Sequence, residues 1–172
     1  MTATPTNADP TSGTTAELIV DVAAGMGTSV DVLRAVSQRV LWLSAAIVDA
    51  ANRGRVNTSG VKVGGHQASS ASLTTIMTAL YGAVLRPEDR VAVKPHASPA
   101  YHALHYLFGR QSVEKMKNFR GFKGAQSYPS RTKDTDDVDF STGSVGLGVA
   151  QTLFSSLVQD YIRAKGWGGQ RP

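Results

Sequence analysis

Cysteine is missing from all 172 residues. That excludes disulfides and thiolate metal sites and says little about compartment. No apolar run approaches the roughly 18 residues needed to cross a membrane. The opening residues, Met1-Thr2-Ala3-Thr4-Pro5, have no basic region and no apolar core, so they do not read as a secretory signal. Dense basic runs are missing as well. The formal net charge is +5, but Lys and Arg are scattered, for example at 110, 115, 117, 120, 123, 131 and 133. An anionic substrate or cofactor accounts for such charges without nucleic acid. These absences predict a cytoplasmic protein with no nucleic-acid or membrane partner.

The chain has enough apolar residues to fold. A hydrophobic fraction of 41% beside a charged fraction of 18% is typical of one globular domain. Residues 1–16 lack an apolar period and read as a disordered tail, leaving 17–172 as the domain. Leu33, Val36, Val40, Leu43 and Ile47 recur at helical spacing. They predict a helix over 30–53, capped by Ser29 and stopped by Gly54, with Trp42 and Val48 widening the stripe. A second helix is predicted over 69–85, capped by Ser69 or Ser70, with Leu73, Ile76, Met77, Leu80 and Val84 on one face. Arg90–Lys94 alternates β-branched residues and reads as a strand. Ser98-Pro99 reads as an N-cap followed by proline at the first helical position, starting a helix that Gly109 closes. A short helix is expected near 113–119. The last runs from about Gly146 to Lys165, with Val149, Leu153, Leu157 and Ile162 inward. The end, from Gly166 to Pro172, reads as a connector. One strand cannot make a parallel sheet, so the pattern is an irregular helical domain or part of a larger α/β domain. The connector favours the second.

Two histidines stand just before predicted helix starts. His66 follows Gly64-Gly65, which tolerate close backbone approach or positive φ. His96 lies in Pro95-His96-Ala97-Ser98-Pro99, between a strand end and a helix start, where ligands collect in α/β folds. Imidazole changes charge near neutral pH, and a helix start offers free N–H groups to an anion. The pair points to a phosphorylated ligand with proton transfer beside it. A third piece, Ser141 to Gly148, turns through glycines into a helix. It is neither the dinucleotide fingerprint, whose glycine order is reversed, nor a P-loop. His102 and His105 share a helix face but have no third ligand, so packing or solvent exposure is the expectation. Asp134, Asp136, Asp137 and Asp139 lack the glycine and glutamate of a calcium loop and read as solvated. No metal site is assigned.

As an ordered set, Gly65-His66, His96-Ala97-Ser98 and Thr142-Gly143-Ser144-Val145-Gly146-Leu147-Gly148 resemble the amino-terminal part of thiamine-diphosphate enzymes of the transketolase superfamily. The Pro95–Pro99 segment, Phe119-Arg120 to Ser127-Tyr128-Pro129, and Val145-Gly146-Leu147-Gly148 resemble the homodimeric decarboxylating component of pyruvate dehydrogenase more closely. Transketolase typically has proline where this chain has Ser144. The resemblance implies an α/β fold, here an incomplete thiamine-diphosphate-binding fold, mostly helical with one or few parallel strands. It implies His66 and His96 as catalytic residues and backbone contacts to the cofactor around Gly143, Val145 and Leu147. It implies thiamine diphosphate and magnesium as cofactors, a small-molecule substrate (a 2-oxoacid or a sugar phosphate) and a homodimeric complete enzyme. The family's Gly-Asp-Gly segment, which holds magnesium and diphosphate, has no match before Pro172. The expectation is an amino-terminal fragment from a truncated or split gene, inactive alone. The rival expectations are a transketolase fragment and a non-catalytic remnant or partner-binding module.

Overall fold

The computed structural model describes residues 29–56, 58–134 and 138–168. The expected tail at 1–16, Asp136, Asp137 and the end of the connector lie outside the described residues. Helix α1 spans Val30–Arg53, as its spacing predicts. Ser29 is extended, and its side chain accepts the Val32 N–H at 3.2 Å. The Gly54 N–H donates to the Ala50 carbonyl and closes the far end. Val36, Val40, Ile47 and Val48 form the buried stripe. Trp42 does not join it and is 69% exposed, because it stands two residues past Val40 and therefore on the opposite side of the helix.

Helix α2 (Gln67–Ala79) starts two residues earlier than the sequence suggests, directly after His66. Ser69 and Ser70 therefore lie within it and do not cap it. Ser70 is fully buried and accepts the Ala100 N–H at 3.2 Å, joining α2 to the third helix. A π-helical turn, Leu80–Val84, follows. Met77 is buried as expected, whereas Ile76 and Val84 are exposed.

The strand expected at Arg90–Lys94 does not form, and no strand occurs among the described residues. The segment lacks helix but has no ladder partner. Its polar groups go instead to side chains of the segment before the last helix. The Val91 N–H donates to Asp139 Oδ2 at 2.8 Å, and Thr142 Oγ1 donates to the Val93 carbonyl at 3.0 Å. Backbone groups need partners, and side chains supply them here as a ladder would. The expectation of a mostly helical fragment holds for the described residues, whereas the one or few strands of the α/β expectation do not form among them. Asp139 is not simply solvated, and neither is Asp134, which accepts the N–H groups of Gln126 and Ser130 at 2.9 and 2.8 Å.

A 3₁₀ turn, Pro95–Ala97, leads into α3 (Ser98–Leu107). Ser98 is inside α3, and Ala97 holds the N-cap position. Nine of the ten α3 residues are buried, so α3 is the central rod on which α1 and α2 pack. Tyr101 and Leu104, 2% and 0% exposed, anchor the contact. Gly109, at φ 69°, ends it. The short α4 (Val113–Lys117) begins at Ser112, whose hydroxyl accepts the Lys115 N–H. Helix α5 (Leu147–Ala164) has no buried residue. Val149, Leu153 and Leu157, expected inward, are exposed. The apolar stripe was legible, but no described element packs against it. No described helix is long and apolar enough to cross a membrane.

Candidate functional site

The structure brings His66 and His96 together. Their ring centroids are 4.7 Å apart with planes at 82°, edge to face. His66 is delivered by the glycine turn at the head of α2, and His96 by the 3₁₀ turn at the head of α3. Both border a small open cleft of about 100 Å³. Phe119, Arg120, Ser127, Tyr128 and Ser144 complete its wall. Among the described residues its lining carries one guanidinium and no carboxylate, which favours an anionic group.

Two polar atoms in this wall are buried without a partner: His96 Nδ1 and Ser98 Oγ. Buried polar atoms are almost always satisfied. Both belong to residues that line the cleft. Among the described residues, no hydrogen bond fixes the ring of His66 either.

The glycines before His66 serve the protein's own packing. Gly64 and Gly65 have φ of 91° and 124°. A Cβ on Gly65 would lie 2.7 Å from a methyl of Val48, and one on Gly64 would strike the Arg120 guanidinium. Asn52, in the last turn of α1, accepts the Gly64 N–H at 3.0 Å and donates to the Gly64 carbonyl at 3.2 Å. Arg55 donates to the Asn118 side chain and the Phe119 carbonyl at 3.0 and 2.8 Å. One helix end thus holds two walls of the cleft.

Of the third sequence motif, Ser144 reaches the cleft lining. Val145 and Leu147 are 82% and 50% exposed, and Leu147 folds back over Gly143. Gly146, at φ 84°, sets the entry into α5. His102 and His105 are core residues with different neighbours. His102 Nε2 lies 2.7 Å from the Gln126 carbonyl, and its Nδ1 faces the Gln111 amide at 3.2 Å. The Gln111 carbonyl oxygen accepts the Ser112 N–H, so its NH₂ faces the ring. The proton of His102 then sits on Nε2. His105 lies against Tyr101 with ring centroids 4.1 Å apart and planes tilted by 41°.

No family model matches the chain, and no solved structure matches it. Curated sequences do. It is 29% identical over 147 residues to a Mycolicibacterium smegmatis protein named pyruvate dehydrogenase E1 component, an overlap of 79% of this chain and 15% of that one. It is 30% identical over 134 residues to the Cupriavidus necator protein of the same name, covering 73% of this chain and 14% of the relative. The Pseudomonas aeruginosa counterpart is 29% identical over 143 residues, covering 78% and 16%. The chain is related to pyruvate dehydrogenase E1 components. It spans about 15% of the length of these relatives.

In this E1-like chain, sequence reasoning missed four contributors to the site. Asn52 and Arg55 carried no local signal, because their targets lie 12 and more than 60 residues away. Ser98 was read as a cap, and its burial depends on the seating of α3. Arg120 stood inside the Phe119–Pro129 run, and its φ of 63° was invisible from composition.

Proposed function

We propose that this chain is the histidine-bearing amino-terminal part of a thiamine-diphosphate-dependent 2-oxoacid dehydrogenase, of the acetyl-transferring pyruvate dehydrogenase type. The observation that carries the reading is the His66–His96 pair on a carboxylate-free cleft beside Arg120 and Ser144. The relationship to E1 components supports it.

In this reading His96 is a hydrogen-bonding group for the substrate oxygen, because its Nδ1 is buried and unpartnered. The exposed His66 beside it holds or moves a proton. The Arg120 guanidinium attracts the substrate carboxylate. Backbone around Gly143, Val145 and Leu147 contacts the cofactor, a role that outward side chains leave open. Thiamine diphosphate, when bound, supplies the electron sink. The residues fit only one end of that cofactor. A cleft of about 100 Å³ is smaller than the ~300 Å³ lower bound of ordinary ligand pockets. No group of three His, Cys, Asp or Glu side chains among the described residues can hold a metal ion. The diphosphate and magnesium therefore need residues other than these, and the chain alone is expected to be inactive.

The test is an NMR titration of the whole chain, following the ring signals of His66 and His96. Pyruvate is expected to move both, and His96→Ala to abolish the response. Thiamine diphosphate with magnesium is expected to give no binding heat in calorimetry. A response to a ketose phosphate but not to pyruvate replaces the reading with a transketolase fragment. No response to either supports a non-catalytic module.

A further inference from the structure

Among the described residues, neither ring of the histidine pair is fixed by a hydrogen bond of its own. His66 in particular is exposed, has no side-chain cap bond and touches His96 only edge to face. The direction of its ring is therefore set by the backbone that carries it. That backbone is Val63-Gly64-Gly65, with two consecutive residues at positive φ. A turn of two glycines has more conformational freedom than any other pair, and something must hold it.

Two side chains do so. Asn52 pairs with both backbone groups of Gly64, and its amide also donates to the Val48 carbonyl at 2.8 Å. The Arg120 guanidinium lies where a Cβ on Gly64 would be and donates to the Val63 carbonyl at 2.6 Å. To do this Arg120 accepts φ of 63°, a left-handed conformation that an ordinary residue adopts at a cost. Its own N–H donates to the Ala125 carbonyl at 2.9 Å, which closes the bend around it. A non-glycine residue in that conformation, reaching 57 positions back along the chain, is over-determined by its surroundings.

We infer that Asn52 and Arg120 are positioning residues: together they lock the Val63–Gly65 turn so that His66 meets His96. Arg120 thereby has a second task besides facing the cleft, since one of its donors is already committed to Val63. The meaning of this clamp for catalysis rests on the function proposed above, but its geometry does not.

The test uses the whole chain without ligand. The nonexchangeable ring protons of His66 and His96 are close enough for cross-relaxation in NMR. The expected result is loss of that cross-peak in Arg120→Ala and in Asn52→Ala, and its return in Arg120→Lys, which keeps a donor for Val63. The buried His102 serves as the internal control, and its ring signals are expected to stay put. Persistence of the cross-peak in both alanine variants overturns the clamp. So does its loss in Arg120→Lys with His102 unmoved. If Asn52→Ala unfolds the chain, moving His102 too, Arg120→Ala decides alone, because its side chain is exposed at the surface. A chain that passes this test but ignores pyruvate refutes the proposed function and leaves the clamp standing. A chain that responds to pyruvate with an intact cross-peak in both variants does the reverse.

Discussion

Helices α3 and α5 are both apolar, yet one is almost wholly buried and the other has no buried residue. Both carry a helical-period stripe. The stripe of α3 is met by α1 on one side and α2 on the other, with Leu104 and Ala100 fully enclosed. That of α5 displays Phe154, Leu157 and Tyr161, each more than half exposed. The difference teaches that an apolar period states a need for a partner and does not name one. The residues that build the histidine cleft are tied to the enclosed half. Among the described residues, the exposed half touches the site only through its entry turn, where Ser144 lines the cleft.

The contrast breaks most sharply by emptying the core. Leu104→Ala is expected to cost about 2–5 kcal/mol, read as a lower urea midpoint. Next, Gly65→Ala forces a β-carbon toward Val48 at positive φ and should cost on the order of 1–3 kcal/mol. It should also move the His66 ring signals. Gln111→Ala leaves His102 Nδ1 buried without its donor and is expected to cost about 1–3 kcal/mol, with the His102 signals shifting in NMR. Ser29→Ala removes the α1 cap and should cost ~1 kcal/mol, seen as earlier fraying of that helix in hydrogen exchange. The smallest effect belongs to α5. Leu157→Ala is expected to change unfolding by no more than ~0.5 kcal/mol. A large loss there would show that the stripe is covered in solution, and would place α5 in the same class as α3.

These outcomes also grade what could be read in advance. The limits of α1 were legible because Ser29 and Gly54 act within four residues of their targets. The start of α2 was misplaced, because Ser70 is a capping type by chemistry yet is used to bind Ala100 across a helix interface. The 90–94 segment has the composition of a strand, but pairing requires a neighbour, and Asp139 and Thr142 took the hydrogen bonds instead. Within the site, His66 and His96 were nominated by their places before helix starts. Their 4.7 Å approach depends on how α2 and α3 pack.

What the sequence determined by itself was local: which stretches coil, where α1 is capped, which glycines permit a left-handed bend, and which imidazoles stand at helix heads. These follow from interactions spanning a few residues, whose geometry the covalent chain already limits. Tertiary structure alone decided the rest. It turned a presumed cap into a buried link, a presumed strand into an unpaired segment, and Asn52 and Arg120 into a grip on the turn that carries His66. Such choices rest on contacts between residues far apart in the chain, and only the packing of whole helices brings those atoms within hydrogen-bonding distance.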